Sequence, residues 1–215
     1  MVKLIPNVIV AGLAASVSPV AIMLLLAVMM RKKARRNLLL FLLGFTLILV
    51  TLGVVGVFVF KAGGSGTKSS VNGYFDIALG VLCLVAMLLS LRSKKKQEKH
   101  AMGGTELKAS RAFSLGIIAM LTNISTIVCY LAGTHEISAA ELGLSDDVIA
   151  LALLTVVTLV TILIPIFIYF IFPSRSDKVL SSFNAWLSRH SKVIGAVVLL
   201  VFGAYLLIKG IRAVA

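Results

Sequence analysis

Neutral polar side chains interrupt two long apolar segments of the chain, and the first interruption contains a proline. Pro19 has no amide hydrogen and its ring clashes with the carbonyl four residues earlier, so the carbonyl oxygen of Ala15 loses its helical partner. In lipid such an oxygen must face protein or a water-lined cavity. Hydroxyl and amide groups placed there can hydrogen-bond a polar or zwitterionic headgroup without a fixed charge. The polar interruptions consist of Ser16, Ser18 and Pro19 in the first segment and Thr122, Asn123, Ser125 and Thr126 in the second.

The two interruptions are related by an internal repeat. A shift of 104 residues places Gly12 on Gly116 and the Ser18-Pro19 pair on Thr122-Asn123. This correspondence predicts two broken helices whose interruptions meet near the centre of the membrane, and it places the binding site there.

A threonine stripe followed by a proline marks a third candidate region. The hydroxyls of such a stripe either bond their own helix backbone or line a pathway, and both interpretations stay open here. The stripe is Thr155, Thr158 and Thr161, and Pro165 follows it. The complete set of predicted substrate-binding residues is Ser16, Ser18, Pro19, Thr122, Asn123, Ser125, Thr126, Thr158, Thr161 and Pro165.

Residues that commonly perform catalysis or bind metals form no recognisable constellation in this sequence. The histidines His100, His135 and His190 are expected in loops, far apart from one another. His135 beside Glu136 supplies too few ligands for a metal site, and surface polarity is the favoured interpretation of that pair. We therefore predict no catalytic residue, no metal site, no cofactor and no enzymatic activity.

The remaining acidic and thiol side chains receive structural interpretations. Asp76 is expected to be the solvated end of a helix, with a proton or ion site as the alternative. Cys83 and Cys129 are predicted to be apolar core thiols, because the repeat does not pair them. The predicted helix centres contain no Asp or Glu, whereas a transporter of divalent cations would want carboxylate ligands there. Cation efflux is therefore the least favoured transport function.

The apolar composition predicts that membrane-spanning helices position these polar groups. The chain has 215 residues, of which 60% are hydrophobic and 13% charged, and its mean hydropathy is +1.08. Such values lie far outside the range of soluble domains. Six runs are each long enough to cross a hydrocarbon core of about 30 Å. They are approximately Pro6 to Met30, Leu38 to Phe60, Tyr74 to Leu91, Phe113 to Gly133, Val148 to Phe172 and Val193 to Ile208.

Basic residues predict the orientation of the chain in the cell membrane. Most of the 21 lysines and arginines follow the first, third and fifth apolar runs, so these three connections are expected in the cytoplasm and both termini outside. The same charges are expected to contact anionic lipid headgroups. Nucleic acid is not a predicted partner, because the basic residues lie in short loops without interleaved aromatic residues.

Three spans in each half imply that the second half is inverted relative to the first. The predicted fold is all-α and integral to the membrane, with six transmembrane helices in two inverted three-helix repeats and with helices 1 and 4 broken. Residues 1–92 are predicted to form the first repeat, residues 93–112 a basic cytoplasmic linker and residues 113–215 the second repeat.

Residues 174–192 are predicted to form an amphipathic interfacial helix, whose apolar face is Val179, Leu180, Phe183, Trp186 and Leu187. Glycines predicted to pack helices closely are Gly44, Gly53, Gly56, Gly195 and Gly203.

The segments SVSPVAIMLLL at Ser16 to Leu26 and LTNISTIVCYLAG at Leu121 to Gly133 resemble the LysE superfamily of small membrane exporters. The second segment, the basic loop before it and WLSRHSKVIG at Trp186 to Gly195 are most similar to the Gap/Sap branch of lipid-addressing proteins. The resemblance covers the whole chain and implies two three-helix halves that each open with a broken helix. Many relatives have Asn-Pro at the second break, whereas Asn123 is followed by Ile124 here.

The resemblance, together with the neutral midplane, favours a secondary exporter or flippase-like carrier of a lipid or other amphiphile. An exporter of an amino acid or similar small solute is the first alternative, and a non-transporting scaffold for a lipid export or synthesis complex is the second. A cavity open to lipid would favour the amphiphile, a closed aqueous cavity the solute and no cavity the scaffold. A homodimer stays open as an assembly.

Overall fold

Eight helices account for nearly all of the backbone described by the computed structural model, which covers residues 4–31, 33–62, 69–92, 107–171 and 173–214. Within those ranges, the side chains of residues 69–72, 90, 173–188 and 191–192 are not described. The helices are α1 (Leu4–Ser16), α2 (Pro19–Met29), α3 (Ala34–Ala62), α4 (Ser69–Arg92), α5 (Ala109–Leu121), α6 (Ile124–Ala139), α7 (Leu144–Ile171) and α8 (Pro173–Val214).

Both predicted breaks are present as sharp bends between consecutive helices. The axes of α1 and α2 differ by 57°, and those of α5 and α6 differ by 69°. Ser18 and Asn123 leave helical geometry and become the N-cap residues of α2 and α6, with ψ angles of 81° and 74°. Pro19 occupies the first turn of α2, where its missing amide hydrogen costs no helical bond. The second bend forms without a proline.

Length and composition assign up to five membrane spans. Three helices qualify by themselves, namely α3, α7 and the Val193–Val214 part of α8, and each bent pair qualifies when its halves are taken as one span. The sixth predicted run lies in α4, whose described apolar stretch Gly73–Leu89 is shorter. The chain is thus an all-helical, membrane-embedded protein, and the count of six spans stays a prediction.

Two predicted boundaries differ from the structure. The outer loop expected from Thr134 onward is helical as far as Ala139, because the apolar pattern continues through Ile137 and Ala139. The segment 174–192 is helical but continuous with the last span in α8, so it is not a separate helix. Its predicted apolar face lies outside the described side chains, as does residue range 93–106 of the basic linker.

Close helix contacts are made through glycines, as predicted for Gly44, Gly53 and Gly56 in α3. A Cβ at Gly44 would overlap the carbonyl oxygen of Phe113 in α5, and a Cβ at Gly116 would overlap the carbonyl oxygen of Phe41 in α3. The backbones of α3 and α5 therefore touch, because neither glycine carries a side chain to separate them. α1 packs similarly between α6 and α7.

The helices α4 and α8 pack mainly against each other. Gly80 lies against Gly203, and Gly73 lies against Gly210, so two glycine pairs seven residues apart hold the backbones together. Gly195, which was expected to share this face, has no atom of another described helix within 4 Å of its Cβ position, and Gly210 takes that role instead. The expectation failed because a spacing of seven residues follows the helix contact more closely than a spacing of eight.

Candidate functional site

The two bends meet through the side chain of Asn123, which is buried. Its Nδ2 donates to the hydroxyl oxygen of Ser18 and to Thr126 Oγ1 at 2.8 Å, while its Oδ1 accepts from Ser125 Oγ at 2.9 Å. Both hydrogens of the amide nitrogen are therefore used, and one of them joins α6 to the break between α1 and α2. The sequence predicted this meeting point from the repeat.

The carbonyl oxygen that Pro19 frees finds its partner across the same contact. Thr126 Oγ1 donates to the carbonyl oxygen of Ala15 at 2.8 Å, and Ser18 Oγ also accepts from the amide of Ala21 at 3.3 Å. The requirement for an internal partner in lipid is thus met by the second half of the chain. We call the group Ala15, Ser18, Asn123, Ser125 and Thr126 the break network.

The other predicted site residues lie outside the break network. Ser16 is buried and donates to the carbonyl of Leu13 at 2.8 Å. Thr122 is exposed and donates to the carbonyl of Ile118 at 2.7 Å, so its hydroxyl caps its own helix end. Pro19 is buried at the start of α2.

Two of the three threonines in the α7 stripe bond their own helix, which was one of the two interpretations of the stripe. Thr155 Oγ1 donates to the carbonyl of Leu151 at 2.7 Å, and Thr158 Oγ1 donates to that of Leu154 at 2.8 Å. The hydroxyl of Thr155 also lies 2.8 Å from the hydroxyl of Tyr130 in α6. Thr161 is half-buried, and Pro165 is buried within α7. A pathway role for Thr158, Thr161 and Pro165 stays a prediction.

A second polar group, which the sequence analysis missed, lies at the opposite end of α6. Asp76, His135 and Glu136 are 3%, 1% and 9% exposed. Lys209 Nζ lies 3.1 Å from Asp76 Oδ2 and also contacts Glu136 Oε1. His135 Nδ1 lies 3.3 Å from Asp76 Oδ1. We call Asp76, His135, Glu136 and Lys209 the ion cluster.

These positions correct two expectations. Asp76 is not a solvated helix end, because α8 covers it and places Lys209 on its carboxylate. His135 and Glu136 are not loop residues on the surface, because α6 continues past them. The apolar residues Ile137 and Ala139 that follow them were the signal that α6 continues beyond Gly133.

Polar contacts extend the ion cluster to neighbouring helices. Asn7 of α1 donates from Nδ2 to Glu136 Oε2 at 3.0 Å, and the Tyr205 hydroxyl lies 3.5 Å from Asn7 Oδ1. The rings of Phe60 and Phe75 pack on the His135 ring, with centroid distances of 5.2 and 5.4 Å. Five helices therefore contribute to this region.

The two cysteines lie closer together than the repeat suggested. Both are free and buried, as predicted for core thiols, but Cys83 of α4 lies close enough to Cys129 of α6 for the two thiols to interact. The crossing of α4 and α6 brings them together, which a comparison of repeat positions cannot reveal. Within the described residues, no three His, Cys, Asp or Glu side chains are arranged to hold a metal ion.

A comparison with known proteins identifies the family to which this chain belongs. A family model described as Sap, sulfolipid-1-addressing protein, matches residues 8–212. The chain belongs to this family. The Sap match includes both bends, the break network and the ion cluster, and it confirms the Sap branch of the expected resemblance. No curated protein and no solved structure is significantly similar to the chain.

Proposed function

We propose that this Sap-family protein is a secondary exporter or flippase-like carrier of a lipid or other amphiphile, with its substrate site at the break network. The description of the family, sulfolipid-1-addressing protein, connects the chain with the addressing of a sulfolipid. Membership of the LysE superfamily, six spans and residence in the cell membrane are parts of the same proposal. The observation that carries it is the contact between two broken helices through Asn123 and Ser18.

Equivalent glycine contacts in the two halves support an inverted repeat. Gly116 of α5 packs against the carbonyl of Phe41 in α3, and Gly12 of α1 packs against Val157 and the carbonyl of Leu154 in α7. Gly12 and Gly116 are the residues that the repeat aligns. The broken pair α1–α2 therefore packs through Gly12 against α7, which follows the other broken pair. The broken pair α5–α6 packs through Gly116 against α3, which follows the first pair.

The arrangement of charged ends supports the proposed orientation. Asn7, near the start of α1, meets Glu136 and the end of α8, so both ends of the described chain lie on one side. Arg35 lies over the ring of Phe170 at 5.8 Å, which places the basic turn after α2 beside the end of α7. The two groups occupy opposite ends of the long helices, as the positive-inside distribution requires.

The chemistry of the break network suits a polar headgroup. The N-terminal ends of α2 and α6 meet there, and such ends carry partial positive charge from their free amides. Hydroxyl and amide groups surround them without a fixed charge, so a headgroup with acceptor oxygens can replace the internal bonds of Asn123. Substrate binding would then exchange one set of hydrogen bonds for another.

A scaffold function is the second candidate, and one observation favours it. Both hydrogens on Asn123 Nδ2 and its Oδ1 are already engaged within the chain. A protein that holds partners in a lipid-export assembly needs no vacant polar groups at its midplane. Under this alternative, the break network is purely structural.

Lipid and metabolite profiling of a strain that lacks the gene tests the proposal. Complementation with the parental protein should restore the exported amphiphile, whereas Asn123→Ala should restore less of it, because the substrate loses its main hydrogen-bonding partner. Thr122→Ala is the matched control, since Thr122 is adjacent but exposed and bonded to its own helix. If Asn123→Ala protein reaches parental level and exports normally, the site lies elsewhere. A missing small solute in place of a lipid would favour the solute exporter.

A further inference from the structure

The ion cluster holds an unequal number of opposite charges in a buried place. Asp76 and Glu136 each supply one carboxylate, and Lys209 supplies one ammonium group. With a neutral imidazole on His135, the cluster therefore carries one uncompensated negative charge. A buried net charge is unfavourable near the hydrocarbon region, so one further positive charge would stabilise the cluster.

The contacts of His135 indicate where that charge would reside. Asp76 Oδ1 and both ring nitrogens of His135 have no hydrogen-bond partner among the described residues. Nδ1 lies 3.3 Å from Asp76 Oδ1, a short movement from a hydrogen bond. A proton on this ring would pair the imidazolium with Asp76 and balance the charge of the cluster. Histidine is also the side chain that most readily gains and loses a proton between about pH 5 and 8.

The surroundings of His135 leave few competing groups. Among the described residues, Asp76 of α4 and the rings of Phe60 and Phe75 contact His135. The neighbouring Glu136 and Lys209 of α8 complete the charged members, and the neutral Asn7 of α1 and Tyr205 of α8 connect to them through Glu136. Only Lys209 among the ionised members is substantially exposed, with 32% of its side chain accessible. Protons would therefore reach the pair from the water that Lys209 contacts.

The helix α6 connects the ion cluster directly to the break network. Asn123 is its N-cap and His135 lies near its other end, about 18 Å away at 1.5 Å per residue. Through Asn7 and Ala15, α1 makes the same two connections. A change in the charge that holds α6 against α4 and α8 would thus act on the helix that carries Asn123.

We propose that the Asp76–His135 pair is a proton-binding site whose occupancy is coupled to movement of α6, with the proton as the driving ion of transport. Proton uptake from the Lys209 side neutralises the cluster and holds α6 against α4 and α8. Proton loss leaves the carboxylates in excess and weakens that contact. The inference rests on the proposed carrier function, although the proton site can be tested without a substrate.

The test measures thermal unfolding of the purified full-length protein in detergent micelles at about pH 5.5 and pH 8, on either side of the usual histidine range. Loss of helical circular dichroism reports unfolding at both pH values, because helices account for nearly all of the described backbone and this signal does not depend on thiol ionisation. The stabilisation from a paired imidazolium is present at low pH and is lost as the pH rises. We expect the parental melting temperature to fall by about 3 °C or more, since roughly 2 to 4 °C accompanies a single modest interaction in a chain of this size.

Variants separate this pair from other titrating groups. His135→Gln and Asp76→Asn should each remove most of the pH-dependent change, because neither keeps both members of the pair. His190→Gln is the matched control, since His190 is an exposed histidine on α8, and it should keep the full parental change. A parental melting temperature that is equal at both pH values, or an unchanged difference in His135→Gln, would overturn the proton site.

Two further experiments distinguish a proton from another cation and separate the proton site from the carrier function. If sodium chloride, but not choline chloride, raises the melting temperature at the higher pH, a monovalent cation balances the cluster and the proton assignment fails. In complemented cells, His135→Gln should reduce export while His190→Gln does not, and normal export by His135→Gln would overturn the coupling. A pH effect in micelles with no missing lipid in the deletion strain would instead refute the carrier function and leave the proton site in place.

Discussion

Asn123 and Ser18 join the two bends through one hydrogen bond between side chains, so the free energy of that bond can be measured separately. Pro19 and the small polar residues around it allowed the sequence to predict where the bends meet. It could not predict that Thr126 would bond the carbonyl of Ala15, because that contact depends on the rotation of α6 about its axis. The partners of Asp76 could not be predicted either, since they lie on helices that are distant in sequence.

A double-mutant cycle with Ser18→Ala and Asn123→Ala should give a coupling free energy of about 0.6 kcal/mol, the average for such bonds in membranes, and at most about 1.7 kcal/mol. Each single variant also loses other contacts, and the cycle removes those contributions. The free energy of unfolding of each of the four proteins is measured in detergent. A parallel cycle with Ser18→Ala and Thr122→Ala should show no coupling beyond about 0.5 kcal/mol, the usual limit of additivity. Equal coupling in both cycles would contradict the contact.

Among the helices, α3 and α5 depend on paired glycines for their close approach, and this dependence was partly visible in the sequence. The glycines of α3 were correctly predicted to pack, because small residues let neighbouring helices approach closely. The pairing of Gly203 with Gly80 was not predictable, since nothing in one helix specifies its partner in another. The second bend was expected from the repeat, and its 69° angle shows that Asn123 breaks the helix without a proline.

Gly116→Ala should lower stability strongly and reduce the yield of folded protein. The added methyl group would overlap the carbonyl oxygen of Phe41, and a backbone atom in a packed helix cannot move away without separating α3 from α5. Gly195→Ala is the control, because no other described helix has an atom within 4 Å of the Cβ position of Gly195. Alanine there should be neutral or stabilising by up to about 1 kcal/mol, as helix propensity predicts. Melting of both variants in the same detergent provides the comparison, and equal melting temperatures would contradict the packing.

At the scale of the whole molecule, the charge distribution predicts an orientation, and the positions of the helix ends are compatible with it. Composition was sufficient to predict a membrane-embedded helical protein, because a mean hydropathy of +1.08 admits few alternatives. The number of spans is harder to derive, since the described apolar stretch of α4, Gly73–Leu89, does not qualify as a span by itself. The inverted repeat follows only if that helix crosses the membrane, so topology is the decisive measurement.

Single cysteines at Lys33, Lys95 and Lys178, in a Cys83→Ala and Cys129→Ala background, should resist an impermeant thiol reagent in intact cells. All three positions lie in the basic segments predicted to face the cytoplasm. Gly143→Cys is the positive control, because Gly143 is exposed in the turn between α6 and α7 at the opposite end. Labelling at two of the three lysine positions would contradict the predicted topology. It would also remove the basis for an inverted repeat.

The glycine pairs between α4 and α8 have a consequence for the biosynthesis of this protein. The ribosome completes α4 long before α8, so the nascent α4 has no partner for Gly73, Gly80 or the carboxylate of Asp76 while the intervening helices are made. A buried carboxylate without its cation is unfavourable in lipid, so α4 should enter the bilayer incompletely or late. When α8 packs against α4, it supplies Lys209 for Asp76 and Gly203 and Gly210 for the two glycines of α4 at the same time. We therefore expect α8 to complete the insertion of α4, and a chain interrupted before α8 to present an unpaired acidic helix to membrane quality-control proteases.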